Sequence, residues 1–420
     1  MHLPEIRPFH ACLYRCIEEP TLADVLAPPY DVISPVHAET LAARHPHNVV
    51  RLILNRGQGE AGYARAGDLY RRWLSEGVFT VDSEPALFLL EQRFVSGGET
   101  LTRRGVLARF RAEDHATGVI RPHEHTRREA REDRYKMLRA TRANFGPIFM
   151  MFPDPKGAFE DATQATFAAP PTASFEDEDR VAHRLWRVAQ NGRIAALQSL
   201  LAGVPAYIAD GHHRHATALR YRDETGPDGA WTLGYFTPFG APGLVVLPYH
   251  RVLRGARAFD ASCAALVECC DLSPSGGIRE AARATERSRA AYAFTMADDS
   301  GRAVVAENRA GAERFLPDDA PECLRALDVF FLDQVVLPRL KDQGAVEYAH
   351  ALGEVEALLD GDPHGLAFIM RATPIAQIIA VADARESMPP KSTYFYPKLP
   401  SGLVVHPLAT ANEKDRAADA

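Results

Sequence analysis

Ala209-Asp-Gly-His-His-Arg-His-Ala-Thr-Ala-Leu219 puts a turn and a cationic cluster at the point where a strand gives way to a helix. The run before it, Val204-Pro-Ala-Tyr-Ile208, is short, apolar and β-leaning, whereas Ala216, Ala218 and Leu219 begin a run of good helix formers. Asp210-Gly211 supplies the turn. A helix that starts just after Gly211 aims its unpaired backbone N–H groups and the positive end of its dipole at whatever fills the turn, so the spot suits a phosphate. Gly211 lets an anion approach the backbone, and Arg214 adds a planar guanidinium suited to bidentate phosphate contact. Asp210 is then an acceptor behind the phosphate, a Mg2+ ligand or a general base. His212, His213 and His215 can carry or deliver a proton near neutral pH. The bland alternative is a capped helix whose imidazoles bond locally. Three histidines and an arginine in four positions weigh against it, because so many polar groups beside an apolar strand are costly without a role. Zinc is disfavoured, since adjacent helical side chains diverge and His212 and His213 would not converge on one ion.

A chain of 420 residues predicts two or three domains with ample material for buried cores. Hydrophobic residues at 46%, charged residues at 25% and a net charge of -7 match soluble enzymes and give no general electrostatic reason to bind DNA or RNA, so no nucleic-acid partner is expected. The N-terminal Met1-His-Leu-Pro-Glu-Ile-Arg-Pro-Phe-His10 lacks the basic start and apolar core of a signal peptide. No later stretch has the apolar length of a bilayer span, and the expectation is a cytoplasmic protein without membrane partners. Cys12 and Cys16 lie four apart and able to share a helix face, Cys269 and Cys270 are adjacent, and Cys263 and Cys323 stand alone. That is neither a zinc spacing nor a disulfide framework.

Three segments are expected. Residues 1–165 hold an irregular box, Ala27-Pro-Pro-Tyr-Asp-Val-Ile-Ser34, an apolar strand candidate at Val49 to Leu54, a helix from Ala61 to Glu76, and a β-hairpin of Ala86 to Phe94 and Leu101 to Phe110 around Gly97-Gly98. Residues 166–258 follow a Pro- and Ala-rich connection and carry a strand at Val181 to Val188, a helix from Asn191 to Ala202, the histidine box, and an apolar strand at Gly243 to Pro248. Residues 259–420 have helices near Ala261 to Cys270, Ile278 to Arg289 and Leu324 to Lys341, strands at Ala367 to Arg371 and Ala376 to Val381, and a polar tail from Ala409 expected to fray. The alternation implies an α/β or α+β fold with a mixed sheet and the histidine box at a strand's C-terminal edge.

Two further stretches bear on chemistry. In Arg121-Pro-His-Glu-His-Thr-Arg-Arg-Glu-Ala-Arg-Glu-Asp-Arg-Tyr-Lys136, Thr126 or a neighbour is placed to cap a helix. Its buried stripe is Ala130, Met137, Leu138 and Thr141, with Arg127, Arg131 and Arg134 along another face that is either solvated or phosphate-gripping. His123 and Glu124, just ahead of that helix, pair a titratable imidazole with a carboxylate as acid/base candidates. The spacing excludes an H-E-x-x-H zinc peptidase. Near the C-terminus, Met388-Pro-Pro-Lys-Ser-Thr-Tyr-Phe-Tyr-Pro-Lys-Leu399 lacks the upstream glycines of a P-loop, yet Lys391 and Lys398 suit phosphate as point charges. The plain alternative is an edge strand.

These boxes, H-E-H-T…D-R at His123 to Arg134, A-D-G-H-H-R at Ala209 to Arg214 and M-P-P-K-S-T-Y-F-Y-P-K at Met388 to Lys398, together with Ala27 to Ser34, resemble a bacterial and archaeal family known as domain of unknown function 1015. The likeness runs over nearly the whole chain. Asp210 to Arg214 is also similar to the nucleotide-binding turn of the ParB/sulfiredoxin superfamily, which includes an ADP-using free L-serine kinase and ATP-using sulfiredoxins. Relatives often lie beside serine-biosynthesis genes. The chain departs from relatives in Arg127 to Glu132, where a Pro-Lys element is usual, in Gly146-Pro-Ile-Phe149, where Ser-Pro-Ile-Phe is usual, and in lacking sulfiredoxin's reactive cysteine.

The resemblance implies a ParB/sulfiredoxin-like nucleotide-binding core and a nucleotide-dependent phosphotransferase acting on a small hydroxyl metabolite, with serine or phosphoserine the economical substrate and ADP or ATP with Mg2+ the cofactors. In that scheme Gly211, Arg214, Arg134, Lys391 and Lys398 hold phosphates. Asp210 or Glu124 binds Mg2+ or accepts the hydroxyl proton, while His123, His212 and His213 assist. Phosphoserine hydrolysis and nucleotide sensing without turnover are the alternatives.

Overall fold

Period-two alternation makes the central strands. Along Leu87 to Gln92 and Arg103 to Phe110, one set of side chains (Leu87, Leu89, Val106, Ala108, Phe110) enters a hydrophobic core, and the other set (Gln92, Arg103, Leu107) faces away from it. In the computed structural model, residues 4–15, 21–54, 59–255, 258–340, 345–362 and 364–408 are described. Cys16 and the tail from Ala409, both subjects of sequence expectations, lie outside them. The chain forms two units, the first from residues 1–122, 126–245 and 397 onward, the second from 123–125 and 246–396.

The first unit runs β1 (Ile6–Arg7), α1 (Val50–Ile53), α2 (Gly59–Ser75), β2 (Leu87–Ser96), β3 (Glu99–Arg111), β4 (Ile120–Arg121), α3 (Arg128–Thr141), β5 (Ile148–Phe152), α4 (Ala158–Phe167), β6 (Ala173–Glu176), β7 (Ala182–Val188), α5 (Asn191–Leu201), β8 (Ala206–Asp210), α6 (His212–Thr225) and β9 (Trp231–Pro238), with shorter elements between. The strands form a mixed sheet ordered β4-β8-β5-β9-β3-β2-β7-β6, with β1 beside β3. β4 with β8 and β5 with β9 are parallel; β8 with β5, β9 with β3, β3 with β2 and β2 with β7 are antiparallel. The mixed α/β class expected from the sequence is thus what the chain adopts.

One face of this sheet buries Ile148, Met150, Phe152, Trp186, Ile208 and Phe236 against Phe159 of α4 and Ile194, Leu197 and Leu201 of α5. Each such side chain is worth about 1.5–3 kcal/mol when fully buried. Helix α3 packs on α6 through Tyr135, Leu138 and Tyr221.

In the second unit, β10 (His250–Leu253), β11 (Cys270–Ser275), α7 (Ile278–Arg287), β12 (Ala293–Asp298), β13 (Ala303–Asn308), β14 (Val346–Ala349), α8 (Leu352–Leu359), β15 (Leu366–Met370) and α9 (Ile375–Asp383) follow in order. The strands make an antiparallel sheet ordered β11-β13-β12-β15-β10-β14. Val252, Ala367 and Ile369 pack with Ala282 of α7 and Val355 and Leu359 of α8.

Four local expectations are corrected. Val49 to Leu54 is not a strand: Val50–Ile53 is one helical turn, because Asn48 Oδ1 accepts from the Val50 N–H at 2.9 Å while Asn48 Nδ2 donates to the carbonyls of Asp24 and Leu26. Val49, Val50, Leu52 and Ile53 are all buried, which erases the amphipathic signature that would have marked a helix. Ala376 to Val381 is helical within α9, entered from Pro374 and rich in alanine. Cys12 belongs to the short strand Cys12–Tyr14 and not to a helix. The helix expected over Leu324 to Lys341 is broken into Glu322–Arg325, Asp328–Phe331, a π-helical stretch Leu332–Val336 and Leu337–Leu340. Pro338 cannot donate to the carbonyl four residues back, which favours the wider π ladder before it.

Candidate functional site

Strand β8 ends at Asp210, and Gly211 turns the chain into α6 with φ at +98°, a left-handed value that a side chain would strain. A Cβ there would also lie 3.0 Å from Nε and Nη2 of Arg214. The turn therefore holds Arg214 close over its own backbone. Arg214 Nη2 donates to Asp210 Oδ2 at 2.6 Å, and Nη1 donates to the Pro147 carbonyl. Lys398 Nζ donates to Asp210 Oδ1 at 2.9 Å. Burial acts to raise the Asp210 pKa, but Lys398 and Arg214 together outweigh it and hold the carboxylate well below its usual range. Asp210 is thus ionised across physiological pH, with both oxygens taken by cations. A carboxylate so engaged does not fit a Mg2+ ligand, and among the described residues no group of three or more His, Cys, Asp or Glu is placed to hold a metal.

Below this cluster lies Arg103 of β3, fully buried and facing Gln92 of β2 across the antiparallel register. Its guanidinium stacks over Phe149 at 4.5 Å, and burial brings its pKa down to about 10, with Tyr235 and Asp210 opposing the shift. Arg103 Nη2 donates to Gln92 Oε1 and to the Pro397 carbonyl, each at 2.5 Å, and Gln92 Nε2 donates to the Lys398 carbonyl at 3.0 Å. Arg103 and Gln92 were missed by the sequence reading. Both strands carry other charged residues, such as Glu91, Arg93, Arg104 and Arg109, so these two gave no distinguishing signal.

Arg134, on the arginine face read as either solvated or phosphate-gripping, is 9% exposed among the buried residues of α3. It donates to the Ile53 carbonyl at 2.7 Å, pairs with Asp133 and lies 3.9 Å over the ring of Tyr30, from the Ala27 to Ser34 box. Burial pushes the Tyr30 phenol up, so it stays protonated. Arg134, Arg214, Tyr30, Asn144 and Thr217 line one cavity of about 80 Å3. Three of the sequence boxes meet there.

The histidines divide by role. His213 Nε2 accepts the N–H of Arg127 at 2.9 Å, and Arg127, the neighbour of Thr126, is the N-cap residue of α3. His212 is buried beside Asp210 and contributes to lowering its pKa. His215 is fully buried, parallel to Phe110 and 4.9 Å from His115; burial drives its pKa down to about 3.

His123, Glu124 and Lys391 belong to the second unit. His123 Nε2 lies 3.2 Å from Thr393 Oγ1, the Met388 N–H donates to the His123 carbonyl at 2.8 Å, and Glu124 bridges Met388 in parallel. The H-E-H-T and K-S-T-Y boxes are therefore neighbours. Lys391 adopts φ of +58° and sets its ammonium 4.9 Å over the ring of Tyr249. Of the residues proposed from sequence, the first unit brings Asp210, Gly211, His212, His213, Arg214, Arg134 and Lys398 onto α6, its turn and the elements packed on them.

No helix among the described residues is long and apolar enough to cross a membrane. Several solved structures are similar to the chain at low identity. They include a free serine kinase variant in complex with AMP (12% identity, TM-score 0.37, covering 70% of this chain and 90% of that one) and another such variant in complex with ADP (13%, TM-score 0.36, the same coverage). SbnI with a C-terminal truncation from Staphylococcus aureus is a third (11%, TM-score 0.38, covering 74% and 93%). No curated protein matches the sequence. The profile of one family, described as a protein of unknown function (DUF1015), matches residues 6–330, and the chain belongs to that family.

Proposed function

We propose that the protein is a nucleotide-dependent phosphotransferase acting on a small hydroxyl metabolite, with ADP or ATP as donor and free L-serine as the first acceptor to test. The observation that carries this reading is the cationic cluster at the start of α6. Arg214 and Lys398 both donate to the Asp210 carboxylate, and the field of Asp210 also reaches the buried Arg103. Cations held together at a helix start are suited to phosphate oxygens. The N–H groups at the start of α6 face the same turn and add donors for phosphate oxygens. Gly211, Arg214 and Lys398 are assigned to holding the nucleotide phosphates, Arg134 to the adjoining cavity, and Asp210 to anchoring the two cations. Transfer of a phosphoryl group demands mainly positioning and charge stabilisation, which these groups supply.

One observation favours a second reading, nucleotide binding without turnover. Asp210 is tied to two cations and His213 is committed to the Arg127 N–H, so neither is disposed as a base. Phosphorus NMR separates the two. The purified protein is incubated with Mg2+ and, in separate tubes, ADP plus L-serine, ATP plus L-serine, and phosphoserine alone. New phosphoserine with loss of nucleotide phosphate supports the transferase, and inorganic phosphate from phosphoserine alone replaces it with a phosphatase. Unchanged spectra with nucleotide still bound leave the sensor, and absence of nucleotide binding rejects both.

A further inference from the structure

Lys398 reaches Asp210 from 188 residues away along the chain, on a segment bracketed by Pro397 and Pro400. An ammonium on a four-carbon stem is a poor phosphate ligand unless its backbone is fixed, because the stem's rotamer freedom is lost on binding. Two fully buried polar side chains do the fixing. Arg103 and Gln92 sit opposite each other on β3 and β2, bond to each other, and donate to the consecutive carbonyls of Pro397 and Lys398. A fully buried arginine is an uncommon use of charge in a sheet. Here its hydrogens go to a side-chain amide and a main-chain carbonyl, and its face lies on Phe149. A leucine or methionine pair would fill the same space at lower desolvation cost, so packing alone does not account for the choice.

We propose that Arg103 and Gln92 are positioning residues that hold the 397–398 backbone so that the Lys398 ammonium stays on Asp210, ready for the anion. The inference rests on the phosphate-holding reading for its purpose, but its geometry is tested without nucleotide. Amine acylation read by mass spectrometry measures how often Lys398 leaves its carboxylate, with the exposed Lys156 as internal reference.

Gln92→Met keeps the volume and removes both the acceptor for Arg103 and the donor to Lys398. It is expected to raise the Lys398 rate relative to Lys156 by about tenfold, the loss expected for one buried hydrogen bond. Gln92→Glu keeps the acceptor but not the donor, and Lys398 is expected to label at an intermediate rate. An unchanged Lys398 to Lys156 ratio in a folded Gln92→Met protein overturns the proposal, even if thermal stability falls, because a structural role alone would lower stability without freeing Lys398. Should Gln92→Met not fold, Gln92→Glu decides by the same ratio. Failure of the wild-type protein to bind any nucleotide would remove the proposed function and leave the labelling result standing.

Discussion

Asp210→Asn replaces the one carboxylate that Lys398 and Arg214 share. The three side chains are 18%, 12% and 16% exposed, so solvent screens their interaction only in part. Two charge-assisted hydrogen bonds, each worth about 1.5–3 kcal/mol, are lost or reduced, and the amide oxygen still accepts from one cation. The expected loss is about 3 kcal/mol at pH 7. Its pH dependence follows from the depressed pKa of Asp210. The unfolded chain takes up a proton near the usual aspartate value of about 3.9, and the folded protein resists doing so. The stabilisation is therefore complete above about pH 5 and shrinks by about 1.4 kcal/mol per unit of pH as the solution is acidified below 4. Trp73, Trp186 and Trp231 are the chain's three tryptophans and all lie in the first unit, so their fluorescence during urea unfolding reports that unit. The wild-type minus Asp210→Asn difference should be flat from pH 6 to 8 and fall towards acid. A difference below about 1 kcal/mol at pH 7, or one that does not change on acidification, would refute the assignment of Asp210 as the anchor of two cations.

Arg214→Ala should weaken nucleotide binding by about tenfold to a hundredfold while the tryptophan-reported unfolding of the first unit stays cooperative; calorimetric titration checks the first and urea unfolding the second. Gly211→Ala is expected to cost about 1–2 kcal/mol, because the residue holds φ at +98° and its new Cβ would crowd the Arg214 guanidinium, and a melting curve that matches wild type would contradict this. His215→Leu should stabilise the protein, since among the described residues neither ring nitrogen has a partner. With the folded pKa near 3 and the unfolded value near 6.5, wild-type stability falls as pH drops through that window, so the gain in Tm should be larger at pH 5 than at pH 7.5.

What could be read from the chain was local. Asp210-Gly211 with Arg214 announced a strand, a turn and a cationic helix start within five residues, and the hairpin of Ala86 to Phe94 and Leu101 to Phe110 was visible from the Gly97-Gly98 turn between two strand-like runs. What escaped was set by contacts made far along the sequence. The face of Arg134 could be read as solvated or phosphate-gripping but not placed, because Tyr30 and the Ile53 carbonyl, which give its charge a buried place, lie 104 and 81 residues away. Arg103 and Gln92 carried no motif at all, since their meaning depends on which strands pair and on what the 397–398 carbonyls need. Val49 to Leu54 misled for the opposite reason: a short run whose apolar residues are nearly all buried has no periodicity from which helix and strand can be told apart.

The contribution of Lys398 also dates the assembly of the site. During synthesis at roughly 5–20 residues per second, the ribosome adds the 188 residues from Asp210 to Lys398 in about 10–40 s. Through that interval the nascent chain can form the Asp210 pair with Arg214 but not the pair with Lys398. Arg103 and Gln92 wait meanwhile with two hydrogen-bond donors aimed at carbonyls not yet made. A chain cut short before residue 397 would lack the Pro397 and Lys398 carbonyls to which Arg103 and Gln92 donate.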